Sequence, residues 1–282
     1  MDQERLAEQL ANLPLGPIRY FHRIDSTNAE AGRWVQAGAP DLALVVSDAQ
    51  TAGRGRHGRR WHTPPGAALA FSLVLRPEGL PVLVPQTVEG EQTLVYLARL
   101  AALAALAVAD GLEAYSEGQS HGLKAEIKWP NDVLVGGRKL AGVLAECHWE
   151  GESLVAVIVG TGINVAPPSV PAEEALTFPA TCVEAVLGKT ADRWELLHTV
   201  VGALLSWRER LSAKDFMRAW ESRLAYKGEF VRVNDPLDQT IAEGVITGLA
   251  PEGALRLRTR SGDELTIHSG EVGLRPVDRL PK

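Results

Sequence analysis

Two clusters in this chain combine positive charge, glycine and amide or carboxylate groups at spacings suited to handling anions. The first is Gln50-Thr51-Ala52-Gly53-Arg54-Gly55-Arg56-His57-Gly58-Arg59-Arg60-Trp61, with four arginines and three glycines in a protein of formal net charge -6. Glycine lets a backbone approach a phosphate closely, and arginine offers a fixed fork of donors matched to phosphate and carboxylate oxygens. The same composition equally suits a solvated loop or an RNA-binding arginine-glycine tract. Trp61 shifts the balance toward a site, because an indole beside arginines can close over a flat ring such as adenine.

The second cluster is Lys128-Trp129-Pro130-Asn131-Asp132, followed by the run Arg138-Lys139-Leu140-Ala141-Gly142-Val143-Leu144-Ala145-Glu146. A turn at Gly136-Gly137 folds Lys139 back beside the Lys128 to Asp132 segment, so two lysines, an amide and a carboxylate can converge. Taken alone, Lys139 reads as an exposed strand-edge charge. Asn131-Asp132 after proline reads equally as turn chemistry or as a metal or phosphate contact. A third motif, Val159-Gly160-Thr161-Gly162-Ile163-Asn164, is a buried strand interrupted by two glycines and ending in an amide. Such a pair marks a bulge or reserved backbone space. It lacks the full GxGxxG pattern and precedes Pro167-Pro168, not a helix, so a dinucleotide-binding fold is not indicated.

The elements that must position these residues are strands and helices in mixed order. Residues 2–12 read as a helix, 18–24 as a strand, and Ser26 as the N-cap of a helix to about Ala37. Strands are expected at 42–48 and 68–76, flanking an irregular arginine-rich stretch. Residues 91–111 form the clearest helix, apolar on most sides, with Gly111 its expected stop. Antiparallel strands follow through 125–165, with turns at Gly136-Gly137 and Glu150-Gly151. Two helices are expected at about 190–211 and 214–225. From Gly228 onward, short alternating strands with turns at Pro251-Glu252-Gly253 and Ser261-Gly262-Asp263 suggest a small β-barrel, and the domain boundary is set at 226/227.

The 282 residues, 45% apolar and 23% charged, leave room for one large core and a satellite domain and exclude wholesale disorder. No apolar run approaches the roughly 20 residues of a bilayer span, and the acidic start resembles no signal sequence, so a cytoplasmic protein without membrane contact is expected. Cys147 and Cys182 suggest buried thiols, with neither a disulfide framework nor a zinc site. The acidic total charge argues against a protein whose main task is coating nucleic acid. The histidines show no metal spacing, and no nucleophile-elbow pattern points to a hydrolase.

In order and spacing, Ser26-Thr27-Asn28, the GRGRHG loop with its trailing Trp61, KWPND, RKLAGVL and GTGIN resemble the motifs of the biotin-protein ligase family over residues 20–165. The resemblance implies an α+β fold: a mixed, largely antiparallel sheet flanked by helices, class II synthetase-like, with a small SH3-like β-barrel at the C-terminus. Segments 116–122 and 166–180 match no family motif. The activity implied is ATP-dependent formation of biotinyl-5′-AMP with release of pyrophosphate, then transfer to a lysine of a biotin carboxyl carrier domain of the acetyl-CoA carboxylase type. ATP and biotin would be the substrates, with Mg²⁺ as cofactor.

Carried over residue by residue, the resemblance places Ser26, Thr27, Asn28 and Gln50, with the backbone of Gly53, Arg54 and Gly55, around biotin. A ureido ring needs the donors and acceptors that hydroxyls, amides and peptide groups supply. Arg56 and Lys139 match contacts to the biotin carboxylate and the adenylate phosphate, and Trp61, Asn131 and Asn164 fall to the ATP side. Asp132, with Asn131, would hold Mg²⁺ or phosphates. Two anions must be aligned in the first step, so Arg56 and Lys139 are the expected neutralisers, and Asp132 is the candidate base of the second. The arginine loop is expected to be mobile without ligand.

Some family members carry an N-terminal helix-turn-helix and act as repressors. About 17 residues precede the first expected strand here, so no sequence-specific DNA binding is expected. Exposed strands near the arginine loop could pair in a homodimer. The alternatives are a lipoate-protein ligase, disfavoured by the arginine-glycine loop together with KWPND, and a nucleic-acid-binding protein using GRGRHGRR.

Overall fold

The computed structural model describes residues 3–81, 91–118, 122–172, 178–235, 237, 239–268 and 273–276. Parts of the two unmatched segments, 119–121 and 173–177, lie outside the described residues.

A seven-stranded sheet carries the site. Its strands are β1 (Ile18–Phe21), β2 (Leu44–Ser47), β3 (Ala68–Leu75), β4 (Ala125–Lys128), β5 (Asp132–Val135), β6 (Arg138–Glu150) and β7 (Ser153–Asn164). Their order is β1-β2-β3-β7-β6-β5-β4. Among the described strands of this sheet, β1 and β2 alone pair in parallel, and every other neighbouring pair is antiparallel. The sheet is therefore mixed and largely antiparallel, as expected. Gly136 and Gly137, at φ +58 and +71, make the tight β5–β6 turn that a Cβ would strain.

The helices are α1 (Gln3–Leu10), α2 (Thr27–Gln36), α3 (Glu91–Tyr115), α4 (Val183–Leu187), α5 (Arg193–Glu209) and α6 (Lys214–Ser222). They divide the sheet's two faces, and β7 shows how. Val157, Val159 and Ile163 join the large core with α3 and α5, whereas Ala156 and Ile158 pack with Ala31, Trp34 and Val35 of α2. Strand alternation thus sends odd positions of β7 to α3 and even positions to α2.

Three expectations about helices and loops are corrected. Helix α3 does not stop at Gly111 but runs to Tyr115. A Cβ on Gly111 would lie 2.6 Å from Val200 Cγ2 and 2.7 Å from Val200 Cα, so this glycine marks a close crossing of α3 and α5. The same helix contradicts the reading that no run reaches membrane length. Val95–Tyr115 is long and apolar enough, yet 78% of its most apolar window is buried within the protein, where it forms the centre of the core. The arginine-rich stretch is also less irregular than expected. Arg54 bridges Arg60, Gly55 N donates to Arg59 O, and a 3-10 turn at Arg56–Gly58 closes the loop.

The C-terminal strands, β8 (Phe230–Asn234), β9 (Thr240–Leu249), β10 (Leu255–Arg258), β11 (Glu264–Ile267) and β12 (Gly273–Pro276), form a separate antiparallel sheet in the order β11-β10-β9-β8-β12. It meets the larger part at Trp129, whose indole Nε1 donates to Gly253 O at 2.9 Å in the β9–β10 turn. Trp220 of α6 packs against the same turn, where a Gly253 Cβ would lie 2.5 Å from its ring. Of the two cysteines, Cys182 is buried as expected and Cys147 is only partly so, although burial pushes its thiol up to about 12.

Candidate active site

On the α2 face, β7 changes from Ala156 and Ile158 to Gly160, Gly162 and Asn164. Where the glycines replace side chains, a cavity of about 420 Å³ opens between the sheet, the N-terminus of α2 and the arginine loop. The two glycines are not spare room. A Cβ on Gly160 would lie 1.9 Å from Asn28 Oδ1, and one on Gly162 would lie 2.2 Å from Trp61 Nε1. Gly142 on the neighbouring β6 also meets Trp61, at 3.3 Å. The three glycines thus seat an amide and an indole flat against the sheet.

One wall is made of hydroxyl and amide groups. Ser26 caps α2 with φ -155 and ψ 137, facing Ala29 N at 3.5 Å. Gln50 Oε1 accepts from Thr27 N at 2.8 Å and Thr27 Oγ1 at 3.3 Å, and its Nε2 donates to Thr63 Oγ1 at 3.0 Å. These bonds fix the orientation of the Gln50 amide and leave one of its N–H bonds for a ligand. Asn28 is different. Its Nδ2 donates to Glu146 Oε2 at 2.7 Å and to Leu144 O at 3.3 Å, and Ser72 Oγ lies 2.6 Å from its Oδ1. Both of its donors are used by the protein, so Asn28 lines the cavity as a support.

The other wall is charged. Lys139 Nζ lies 2.6 Å from Asp132 Oδ1 and Lys128 Nζ lies 3.8 Å from Asp132 Oδ2. Pairing of Lys128 with Asp132 across β4–β5, and of Leu134 with Lys139 across the β5–β6 turn, creates this convergence. Arg56 reaches the same corner, donating to Asn131 Oδ1 at 3.0 Å while Asn131 Nδ2 donates to Val143 O at 2.6 Å. Lys139 also lies over the Trp61 ring, 5.5 Å from its centroid, and Lys128 over Phe178 at 4.8 Å. Burial pushes the Asp132 carboxyl up, but Lys139, Lys128 and Arg56 outweigh it and hold the group below the usual carboxylate range.

The structure brings together Ser26, Thr27, Asn28, Gln50, Arg54, Gly55, Arg56, Trp61, Asn131, Asp132, Lys139 and Asn164 around this one cavity. Gly53 stands behind it, where a Cβ would lie 2.4 Å from Trp61 O. Asn164 Nδ2 donates to Thr181 O at 3.0 Å, tying the end of β7 to the segment before α4. Trp61 Nε1 is buried with no hydrogen-bond partner among the described residues, which suits a group that bonds a ligand acceptor. Sequence reasoning missed Ser72, Thr63, Phe178 and the support role of Glu146. The even spacing of Glu146 from Gly142 along β6 was the available signal for the last.

One assignment does not fit. Both oxygens of Asp132 face lysines, and among the described residues no three His, Cys, Asp or Glu side chains converge as a metal site. Mg²⁺ is held by one or two free carboxylates plus substrate phosphates, so a carboxylate engaged this way is no resident metal ligand.

A cavity with a neutral polar wall and a cationic wall defines an α/β protein with a site suited to a small molecule that carries both polar and anionic groups. Comparison with known proteins gives that class its family. The chain belongs to the family described as Biotin/lipoate A/B protein ligase, which matches residues 20–164. Residues 228–275 match the Biotin protein ligase C terminal domain. The biotin--[acetyl-CoA-carboxylase] ligase of Paracoccus denitrificans is 36% identical over 254 residues, covering 89% of this chain and 97% of that protein. The bifunctional ligase/repressor of Bacillus subtilis is 33% identical, covering 90% and 73%. Among solved structures, the biotin protein ligase of Aquifex aeolicus in complex with biotin and ATP superposes with a TM-score of 0.74 at 30% identity, over 93% of this chain and 99% of that one.

Proposed function

We propose that this chain activates biotin with ATP to biotinyl-5′-AMP and transfers the biotinyl group to a lysine of a biotin carboxyl carrier domain. One observation carries the reading: in a protein of net charge -6, Lys128, Lys139 and Arg56 gather around a single carboxylate at one wall of the cavity. Three cations against one anion leave an excess of positive charge where two anions must meet.

In the first step a carboxylate oxygen of biotin attacks the α-phosphorus of ATP; the new O–P bond forms as the bond to pyrophosphate breaks. The substrate supplies its own nucleophile, so the protein's work is alignment and charge neutralisation. Arg56 and Lys139 neutralise the two anions, and Trp61 seals the nucleotide side. Thr27, Gln50 and the Gly53 to Gly55 backbone orient the ureido ring, and Asn131 and Asn164 border the nucleotide. Mg²⁺ would enter with ATP, as part of that substrate, and would balance charge on its phosphates.

In the second step a lysine amine attacks the acyl carbon, the C–O bond to AMP breaks, and the amine's proton passes to Asp132. A carboxylate held low by three cations is a weak base. It becomes more basic as Lys139 turns to phosphate.

The proposed acceptor, a carrier domain of the acetyl-CoA carboxylase type, is supported by the name of the Paracoccus relative, a biotin--[acetyl-CoA-carboxylase] ligase. Beyond Val143, the outer edge of β6 has no ladder partner among the described residues, and a strand of the acceptor or of a second copy of this chain could add there. The division into a catalytic domain, 1–226, and a C-terminal domain, 227–282, is supported by the turn at Tyr226 and Gly228, with φ of +61 and +86. The test of the function is pyrophosphate release from ATP with biotin, and with lipoate as control. Release with biotin supports the reading, release with lipoate alone moves the chain to the lipoate branch of the family, and release with neither refutes it.

A further inference from the structure

The contacts at the closed end of the arginine loop single out a residue that no motif-based role includes. Glu146 lies on β6, paired with Ile158 of β7, on the face that carries the cavity. Its Oε2 accepts two hydrogen bonds at once, from Asn28 Nδ2 at 2.7 Å and from Arg54 Nη2 at 2.8 Å. Asn28 continues the chain to Ser72 Oγ at 2.6 Å, and Ser72 Oγ lies 2.8 Å from Thr27 Oγ1, which reaches Gln50. A single carboxylate oxygen therefore joins the arginine loop to the polar wall.

The two partners differ in character. Asn28 is buried and held on three sides, with Gly160 kept bare to admit it. Arg54 is half-exposed and sits in the stretch from Gly53 to Trp61, whose backbone bonds, Gly55 N to Arg59 O, Arg59 N to Arg56 O and Trp61 N to Gly53 O, are internal. Those internal bonds shape the loop but do not attach it to the sheet. Two side chains reach outward from this stretch: Arg56 bonds to Asn131 in the β4–β5 turn, and Arg54 bonds to Glu146 on the face of the sheet.

We propose that Glu146 is a positioning residue: through Arg54 it latches the arginine loop onto the sheet, and through Asn28 it ties that latch to the biotin wall. The loop closes over ligand on a fixed post, and ligand retention depends on a side chain that touches no ligand. The ligand part of this proposal rests on the biotin-ligase reading above; the latch itself does not.

Glu146→Gln separates the two bonds. Glutamine keeps an oxygen that can accept from Asn28 but loses the charge that attracts Arg54. The first readout is trypsin cleavage of ligand-free protein after Arg56, Arg59 and Arg60, sites that every variant keeps, which follows the population of the open loop. A half-exposed ion pair makes a modest contribution, so cleavage of the variant is expected to rise about threefold to fivefold over wild type. Arg54→Gln is expected to give a similar rise, and the double variant little more than either alone. The second readout is catalytic. The KM for biotin should rise about threefold to fivefold while kcat at saturation stays within about twofold, since Arg56 and Lys139 are untouched. Additive cleavage rates, or a rate unchanged by Glu146→Gln, overturn the latch, as does a kcat loss with KM unchanged. Should Glu146→Gln fail to fold, Arg54→Gln alone decides the cleavage arm. If wild type bound no biotin, the functional reading would fail, yet ligand-free cleavage would still decide the latch.

Discussion

Removing the Lys139 ammonium is the sharpest perturbation of this site. Lys139→Ala leaves Asp132 with Lys128 at 3.8 Å as its remaining close lysine and takes the cation off the Trp61 face. The variant loses a charge that would sit next to the reacting phosphate. A pair of unit charges about 4 Å apart is worth about 4 kcal/mol at an effective dielectric near 20, against about 1 kcal/mol in bulk water. Lys139 is about a quarter exposed and shares its task with Arg56 and Lys128, so part of the higher figure applies. An intermediate loss of about 2–3 kcal/mol corresponds to a fall in kcat/KM of about 30-fold to 150-fold. The assay is biotin-dependent pyrophosphate release, with Lys139→Arg as a variant that keeps charge and should fall between the two.

The same substitution carries a pH signature. Asp132 has its folded pKa held below the usual 3.8 by the surrounding cations. Its contribution to stability is therefore fully present above 3.8 and is lost as the pH falls through the depressed folded value. Lys139→Ala has less of that contribution to lose, so the stability gap between wild type and variant should narrow on acidification below 3.8. A folded Lys139→Ala protein with less than about a tenfold loss of kcat/KM, or a gap that widens in acid, would refute the electrostatic account of this wall.

Three further outcomes follow from particular contacts. Gly160→Ala forces a Cβ against Asn28, and overpacking of that kind costs about 1–3 kcal/mol, expected as a drop in Tm of about 2–12 °C by calorimetry; an unchanged Tm would mean that the α2 terminus yields freely. Trp129→Phe removes the donor to Gly253 O, and the urea midpoint should report a loss of about 1–3 kcal/mol at the joint between KWPND and the C-terminal sheet. Asp132→Asn should slow transfer from preformed biotinyl-5′-AMP to acceptor; transfer at the wild-type rate would remove Asp132 as the base.

The order of motifs, the strands around them and the turn at Gly136-Gly137 could all be read from the chain, because they depend on local preference and on period-two alternation. So could the convergence of Lys128, Asp132 and Lys139, since a two-residue turn leaves little freedom in where the returning strand lies. Other features depend on elements far apart in sequence, and only the tertiary structure decided them. Gly111 looks like a helix stop until Val200 of α5 is seen against it. Gly160 and Gly162 look like a bulge until Asn28 and Trp61, each about 100 residues away or more, fill the space they leave. Asn28 looks like a ligand donor until both of its N–H bonds are found spent on Leu144 and Glu146. Asp132 looks like a metal ligand until two lysines are found at its oxygens. Local chemistry told which groups were available, and long-range packing determined which of them were already committed to one another and which were left to meet a substrate.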